Sequence, residues 1–442
     1  MTISAPRAVA SSTSVRTRFF QWLRPLDLGG QQGIKSLDGL RAVAALMVVS
    51  YHIIGVITWS PALGGLNIHF IWQYLASGVL LFFVLSGFLL FLPYVRAMLD
   101  GRPLPAARRF YENRALRILP AFYVCLFILA AVHWQEYSPS QNFADIAVHV
   151  FFIHDISAQT VFAFDGPFWT LAAEWQFYLL LPLIAWGISR LVAKAAIPAA
   201  LIGLGVCGFI GLALVYRAVA GLVVEHMGRI PAGLYWWVDR FLRITIGYQG
   251  KFLEVFGIGM LFAVIYVVVV ERRRLPEHLL HWIGPSLVMS ALISAYVIAQ
   301  LQESGIVTAE YVYTDLRASR WETIAGSGLF GLSYGVLVLG VLLCGPFLRK
   351  PFEWTPIRYI GLWSFSLYLW HGPAVWGQLP GTTEWSLLAR VVVGGALSFA
   401  SYQLIERPVL RWRRSRFARK ATARIQDVPT TISHVSGAVE LT

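Results

Sequence analysis

Four sets of residues have types and spacings that could do chemistry. Arg41 and His52 stand eleven residues apart in LDGLRAVAALMVVSYHII. On an α-helix that spacing is roughly 20° beyond three full turns and a rise of about 16 Å. The two side chains therefore share one face, with the imidazole deeper than the guanidinium. An imidazole titrates near neutral pH and suits a general base. Asp38, three residues before Arg41, can pair with it or cap the helix. Arg114 and Arg117, at i and i+3, can clamp a phosphate between two guanidinium forks. Thr170, Glu174 and Tyr178 recur every four residues, with Glu174 the acidic group inside an apolar run. A carboxylate there suits acid/base work, or the orientation of a histidine. Ser364, Tyr368 and His371 fall on one face of WSFSLYLWHGP. Each set also has a purely structural explanation. Arg41 could snorkel to the membrane edge, His52 and Glu174 could be satisfied between helices, and the arginine pair could belong to an ordinary basic loop. Ser86-Gly87 reads as a small pair that lets a neighbouring helix come close.

These residues need elements to hold them, and composition says what kind. Of 442 residues, 57% are hydrophobic and only 13% charged, against about 25% charged in a soluble domain. Mean hydropathy is +0.62. A water-soluble globule cannot hide that much apolar surface, so the chain is an integral membrane protein. Disorder and a disulfide-stapled secreted domain are excluded by the same figures. A helical span needs about 20 mostly apolar residues. Ten segments qualify: 39–59, 71–95, 118–135, 168–189, 195–219, 252–270, 279–301, 323–345, 359–379 and 386–406. The stretch 143–164 is apolar but broken by His149, His154 and Asp155, and reads as an interfacial or re-entrant segment. The expected fold is all-α: a polytopic bundle of about ten transmembrane helices. Residues 1–35 read as a flexible cytoplasmic tail, 36–408 as the membrane domain, and 409–442 as a basic, then disordered, cytoplasmic tail. An ionisable group inside a span costs about 2.5–3.5 kcal/mol on insertion scales, which singles out Arg41, His52 and Glu174 as functional.

The formal charge of +13 needs a location. With the N-terminus inside, 27 of the 36 Lys and Arg fall on cytoplasmic segments. The positive-inside rule thus gives N-in and C-in, in the plasma or inner membrane. Most of the excess charge is a topology signal, and a nucleic-acid partner loses its main support. The segment 411–424 fits an anchor touching anionic lipid. Cys125, Cys207 and Cys344 all fall in spans, so neither a disulfide nor a metal site is expected. Gly250-Lys251 lacks the rest of a phosphate-binding loop, so no ATP-driven pump is indicated.

The strings LDGLRAVAALMVVSYH, FFVLSGFLL, RALR, PFWTLAAEWQFYLLLP, SFSLYLWH and the closing ERP, taken in order, resemble the acyltransferase 3 family of integral-membrane acyltransferases. The similarity runs from about residue 36 to 408. It implies transfer of an acyl group, most readily acetyl, from an acyl-CoA donor to a hydroxyl. Acceptors would be glycans, lipids or glycosylated small molecules, as in cell-envelope carbohydrate O-acetylation. The family's arginine and histidine match Arg41 and His52, its Arg-x-x-Arg pair matches Arg114 and Arg117, and its membrane glutamate matches Glu174. Thr170 stands where serine is common, and Phe365 where tyrosine is; neither touches the ionisable set. Some members carry an SGNH-type esterase domain after the membrane part. Here about 35 residues follow the last span, so a second, extracytoplasmic transfer step is expected either to need a separate protein or to be absent.

The resemblance and the residues together give a mechanism to test. Arg41, Arg114 and Arg117 are expected to hold the donor's phosphates, with His52 as general base and Glu174 orienting or balancing the imidazole. A covalent acyl-enzyme is the competing route. The rival function is a secondary transporter using Arg41, His52 and Glu174 as a proton relay, against which stands the lack of internal symmetry. The outer loop 225–250 carries Tyr235, Trp236, Trp237, Asp239, Arg240, Arg243 and Tyr248, and reads as an interfacial aromatic belt rather than a sugar site.

Overall fold

The computed structural model describes residues 34–416, apart from 59–68, 136–137, 193–194, 248–249, 273–275, 308–320, 382–384 and 414. The two tails expected from the sequence lie almost wholly outside the described residues, as does Tyr248. All regular elements described are helical. In chain order they are α1 (Ser36–Thr58), α2 (His69–Ala76), α3 (Gly78–Leu99), α4 (Ala107–Val132), α5 (Pro139–Val150), α6 (Phe168–Val192) and α7 (Pro198–Glu225). There follow α8 (Ala232–Ile246), α9 (Leu253–Ile265), α10 (Glu277–Glu303), α11 (Trp321–Leu343), α12 (Pro346–Glu353), α13 (Thr355–Val375) and α14 (Leu387–Ser401). α9 and α14 run on through π-helical turns at Tyr266–Arg272 and Tyr402–Glu406.

Among the described residues nine helices are long and apolar enough to cross a membrane. The tenth expected span is α13. Its 21 residues are long enough to cross, but it carries Arg358, Ser364, Ser366 and His371, all buried. A helix wrapped by other helices need not be apolar, because it never meets lipid. The chain is a multi-pass membrane protein. The segment 143–164 is no span: α5 is capped by Ser138 and Gln141, and the chain then turns through His154–Ile156. Two of the boundary shifts bear on charged residues. The third span starts at Ala107, not 118, so Arg114 and Arg117 sit on α4 itself. The fifth extends to Glu225, which takes Arg217 well inside it.

α3 is the axis of the bundle and packs along α9 and α1, while α13 lies between α1 and α14. Close approach needs positions without side chains. A Cβ on Gly87 of α3 would overlap the Phe256 carbonyl of α9, and one on Gly259 of α9 would overlap the Val84 carbonyl of α3. Gly361 of α13 meets the Asp38 carbonyl of α1 in the same way. The expected packing role of the Ser86-Gly87 pair is thus filled by Gly87. Gly259→Val forces the two backbones apart, at a cost of about 1–3 kcal/mol or more. Its melting temperature in detergent should fall clearly, while Gly208→Ala, which meets nothing within 4 Å, should leave it unchanged. Equal melting temperatures for the two variants would contradict this packing.

Candidate active site

A pocket opens between α1, α3, α6 and α13. It is lined by Arg41, Phe82, Thr170, Glu174, Ser364 and Tyr368, with Val79, Phe83, Leu171 and Phe365 supplying apolar wall. Three of these helices, α1, α6 and α13, contribute one or two polar groups each, on the faces the helical period predicts, while α3 supplies only apolar wall. The Arg41 guanidinium lies over the Phe82 ring, 5.8 Å from its centre, and its Nε has no acceptor. The buried Ser364 hydroxyl has none either. Glu174 accepts from Ser86 at 2.6 Å and from Tyr178. Ser86 therefore does more than pack. The expected pairing of Glu174 with the His52 imidazole is not what the structure shows.

The partner of His52 is a second histidine. His371 Nε2 lies 2.9 Å from His52 Nδ1, and both residues sit near the outer ends of their helices given the N-in topology. His371 Nδ1 faces the carbonyls of Tyr368 at 2.8 Å and Leu367 at 3.2 Å. Trp376 stands edge-on to His52, with ring centres 4.9 Å apart, and Tyr51 flanks it at 4.9 Å. Tyr368 links the two regions. It lines the pocket, its ring lies 5.6 Å from that of His371, and its hydroxyl meets Thr170 and donates to the Pro167 carbonyl at 3.1 Å.

The segment between α5 and α6 roofs this region. Gly166 seats the Trp376 ring, and the Asp165 carboxylate lies against Gly372, next to His371. Asp165 is fully buried with neither oxygen hydrogen-bonded by any described residue. Burial pushes its carboxyl well above the usual carboxylate range. Pro373 has no N–H to give the Leu369 carbonyl one turn back, and the Cys125 thiol takes that place at 3.5 Å.

The two cytoplasmic arginines share α4 but not a partner. Arg114 lies over the Tyr178 ring, 5.9 Å from its centre, with its Nε unsatisfied. Arg117 is 2.8 Å from the Glu406 carboxylate and donates to the Leu362 carbonyl at 3.1 Å. Glu406, from the ERP string and the π-turn of α14, is also bound by Ser366. The two arginines of the expected clamp are thus held differently: Arg117 is tied to α13 and α14, while Arg41 and Arg114 keep unsatisfied N–H groups. Asp38 pairs with Arg358 of α13 at 3.4 Å rather than with Arg41.

One buried constellation escaped the sequence reading. Arg217 of α7 pairs with Glu254 of α9, with Ser327 of α11 3.2 Å from each. Both charges fall within expected spans and were legible as such. The pair lies behind Phe252, whose ring centre is 4.9 Å from the guanidinium, and it joins three helices outside the pocket. The aromatic stretch after α7 forms α8, which leaves Tyr235, Trp236 and Trp237 exposed.

Comparison with known proteins now bears on this geometry. A family model described as an acyltransferase domain matches residues 34–406, most of the chain and every residue of the pocket. The chain belongs to the acyltransferase 3 family. Among curated members it is similar to a Bacillus subtilis protein named as a candidate peptidoglycan O-acetyltransferase, YrhL, with 26% identity over 90% of this chain and 58% of the relative. The peptidoglycan O-acetyltransferase OatA of Listeria monocytogenes is 24% identical over 85% of this chain and 56% of its own length. The O-acetyltransferase OatA of Staphylococcus aureus is 22% identical, over 90% and 62%. The chain thus spans less than two thirds of the length of these acyltransferase 3 relatives. No solved structure matches it. No group of three His, Cys, Asp or Glu suited to a metal occurs among the described residues.

Proposed function

We propose that the protein is a cell-membrane O-acetyltransferase that moves an acetyl group from acetyl-CoA to a carbohydrate hydroxyl. The observation that carries this reading is the pairing of a pocket holding an unsatisfied guanidinium, Arg41, with an imidazole pair reached past Tyr368. Arg41 and Arg114 have N–H groups without acceptors, as an anionic donor would require. Arg117, held by Glu406, supports α4 and adds positive charge to the donor's approach. The Ser364 hydroxyl is free to meet the thioester carbonyl. Glu174 balances the charge of Arg41 within the pocket rather than orienting His52.

His52 then acts as general base. The acceptor oxygen attacks the thioester carbonyl carbon as its proton passes to the imidazole; the C–S bond breaks, and the thiolate receives that proton. His52 lies six residues from the outer end of α1, about 9 Å at helical rise, whereas Arg41 lies five from the inner end. Donor from the cytoplasm and acceptor from outside fits that arrangement. A wall glycan, the acceptor class in the relatives' names, lies on the outer side.

The test supplies membranes containing the protein with radiolabelled acetyl-CoA and soluble peptidoglycan fragments. Label should appear as an alkali-labile ester on the glycan, with free CoA released in equal amount. Proton-gradient-driven uptake with no ester formed would instead establish the transporter reading.

A further inference from the structure

His52 and His371 are joined by one hydrogen bond, and which ring donates is decided by the carbonyls around them. A carbonyl oxygen only accepts. His371 Nδ1 faces two of them, Leu367 and Tyr368, so that nitrogen carries a proton. The neutral ring then has a bare Nε2, which must be the acceptor in the 2.9 Å contact with His52 Nδ1. The hydrogen of that contact is therefore on His52 Nδ1, and its Nε2 is left as the bare nitrogen.

We propose that His371 is a positioning residue that holds His52 in the Nδ1–H tautomer and so makes His52 Nε2 the nitrogen that takes the acceptor's proton. This rests on the acetyl-transfer reading above for its consequence, though not for its geometry. In the ground state a chain of donors runs from His52 Nδ1 to His371 Nε2, and from His371 Nδ1 to the Tyr368 carbonyl. When Nε2 of His52 gains the proton of the attacking hydroxyl, its positive charge faces the lone pair of His371 Nε2. That stabilises the imidazolium until the proton passes to the departing thiolate. No proton leaves the pair, and no other co-reactant is needed.

Geometry explains why α13 can hold its ring so firmly. Gly361 lets α13 touch the backbone of α1 at Asp38, and Gly372 lets Asp165 and Trp376 close over the turn that carries His371. The imidazole is 2% exposed, and its Nδ1 is hydrogen-bonded to its own helix. It cannot rotate without losing both partners.

The experiment compares wild type, His371→Gln and His371→Leu in nanodiscs, with 15N-labelled histidine and His52→Ala spectra to assign the His52 signals. Gln places an acceptor oxygen near the former Nε2; Leu removes it. His52 should be in the Nδ1–H form in wild type and in His371→Gln, and a mixture of tautomers in His371→Leu. In the transfer assay kcat should fall about 10-fold or more in the Leu variant, the wrong tautomer costing up to about 10⁴-fold in the serine-protease triad. The donor KM should stay unchanged, and the Gln variant should recover most of the rate. An Nε2–H form of His52 in wild type, or identical tautomers in wild type and His371→Leu, overturns the proposal. If no variant transfers label, the acetyl-transfer reading fails, and the tautomer spectra still decide the role of His371.

Discussion

His52→Ala should reduce acetyl transfer by about 10²–10⁴-fold, the usual contribution of a positioned general base. The helix that carries the residue should be undisturbed. His52 is partly exposed toward the outer end of α1, its hydrogen bond runs to the His371 side chain, and alanine is the best helix former. The loss should therefore fall on kcat, with donor KM and detergent melting temperature close to wild type. The check is single-turnover transfer from radiolabelled acetyl-CoA in membranes matched for protein amount. Wild-type turnover in this variant would remove the histidine from the chemistry. A stable labelled protein accumulating in the absence of acceptor, and lost in His52→Ala, would move the mechanism to a covalent acyl-enzyme on that ring.

Arg41→Ala should act on the other parameter. Arg41 lines the pocket with an N–H group that no described residue satisfies, so its contribution waits for an anion. A hydrogen bond to a charged group is worth about 1.5–3 kcal/mol, which corresponds to roughly a 10- to 150-fold rise in donor KM. Arg41→Lys should fall between, because an ammonium keeps the charge but not the fork. Removing Arg41 also leaves Glu174 without its neighbouring cation, so Arg41→Ala with Glu174→Gln should be less impaired than the two single losses added together. Donor KM measured for the four proteins checks this. An unchanged KM in Arg41→Ala would mean that the guanidinium does not meet the donor.

Much of this architecture was legible in order along the chain. Apolar runs long enough to cross a bilayer, and basic residues gathered between alternate runs, leave few topologies open. The polar stripes of α1, α6 and α13 followed from helical period alone. α13 was recognisable as a span only by its place in the series. Its hydropathy is lowered by the buried residues that make it useful.

Pairing was not legible, because it depends on rotation and depth of helices far apart in sequence. Asp38 is three residues from Arg41 but pairs with Arg358, and Arg117 is three residues from Arg114 but pairs with Glu406. Glu174 turned to Ser86 and Tyr178. Arg217 and Glu254 could be seen as charges within spans, yet only the contact between α7 and α9 shows that they neutralise each other.

Sequence by itself determined the membrane helices, their orientation, and the shared face of Arg41 and His52, since all three follow from local spacing and from the solvation cost of polar groups in lipid. The tertiary structure alone decided which polar group each buried residue meets. Helices approach where glycines allow it, and that approach set His371, not Glu174, beside His52.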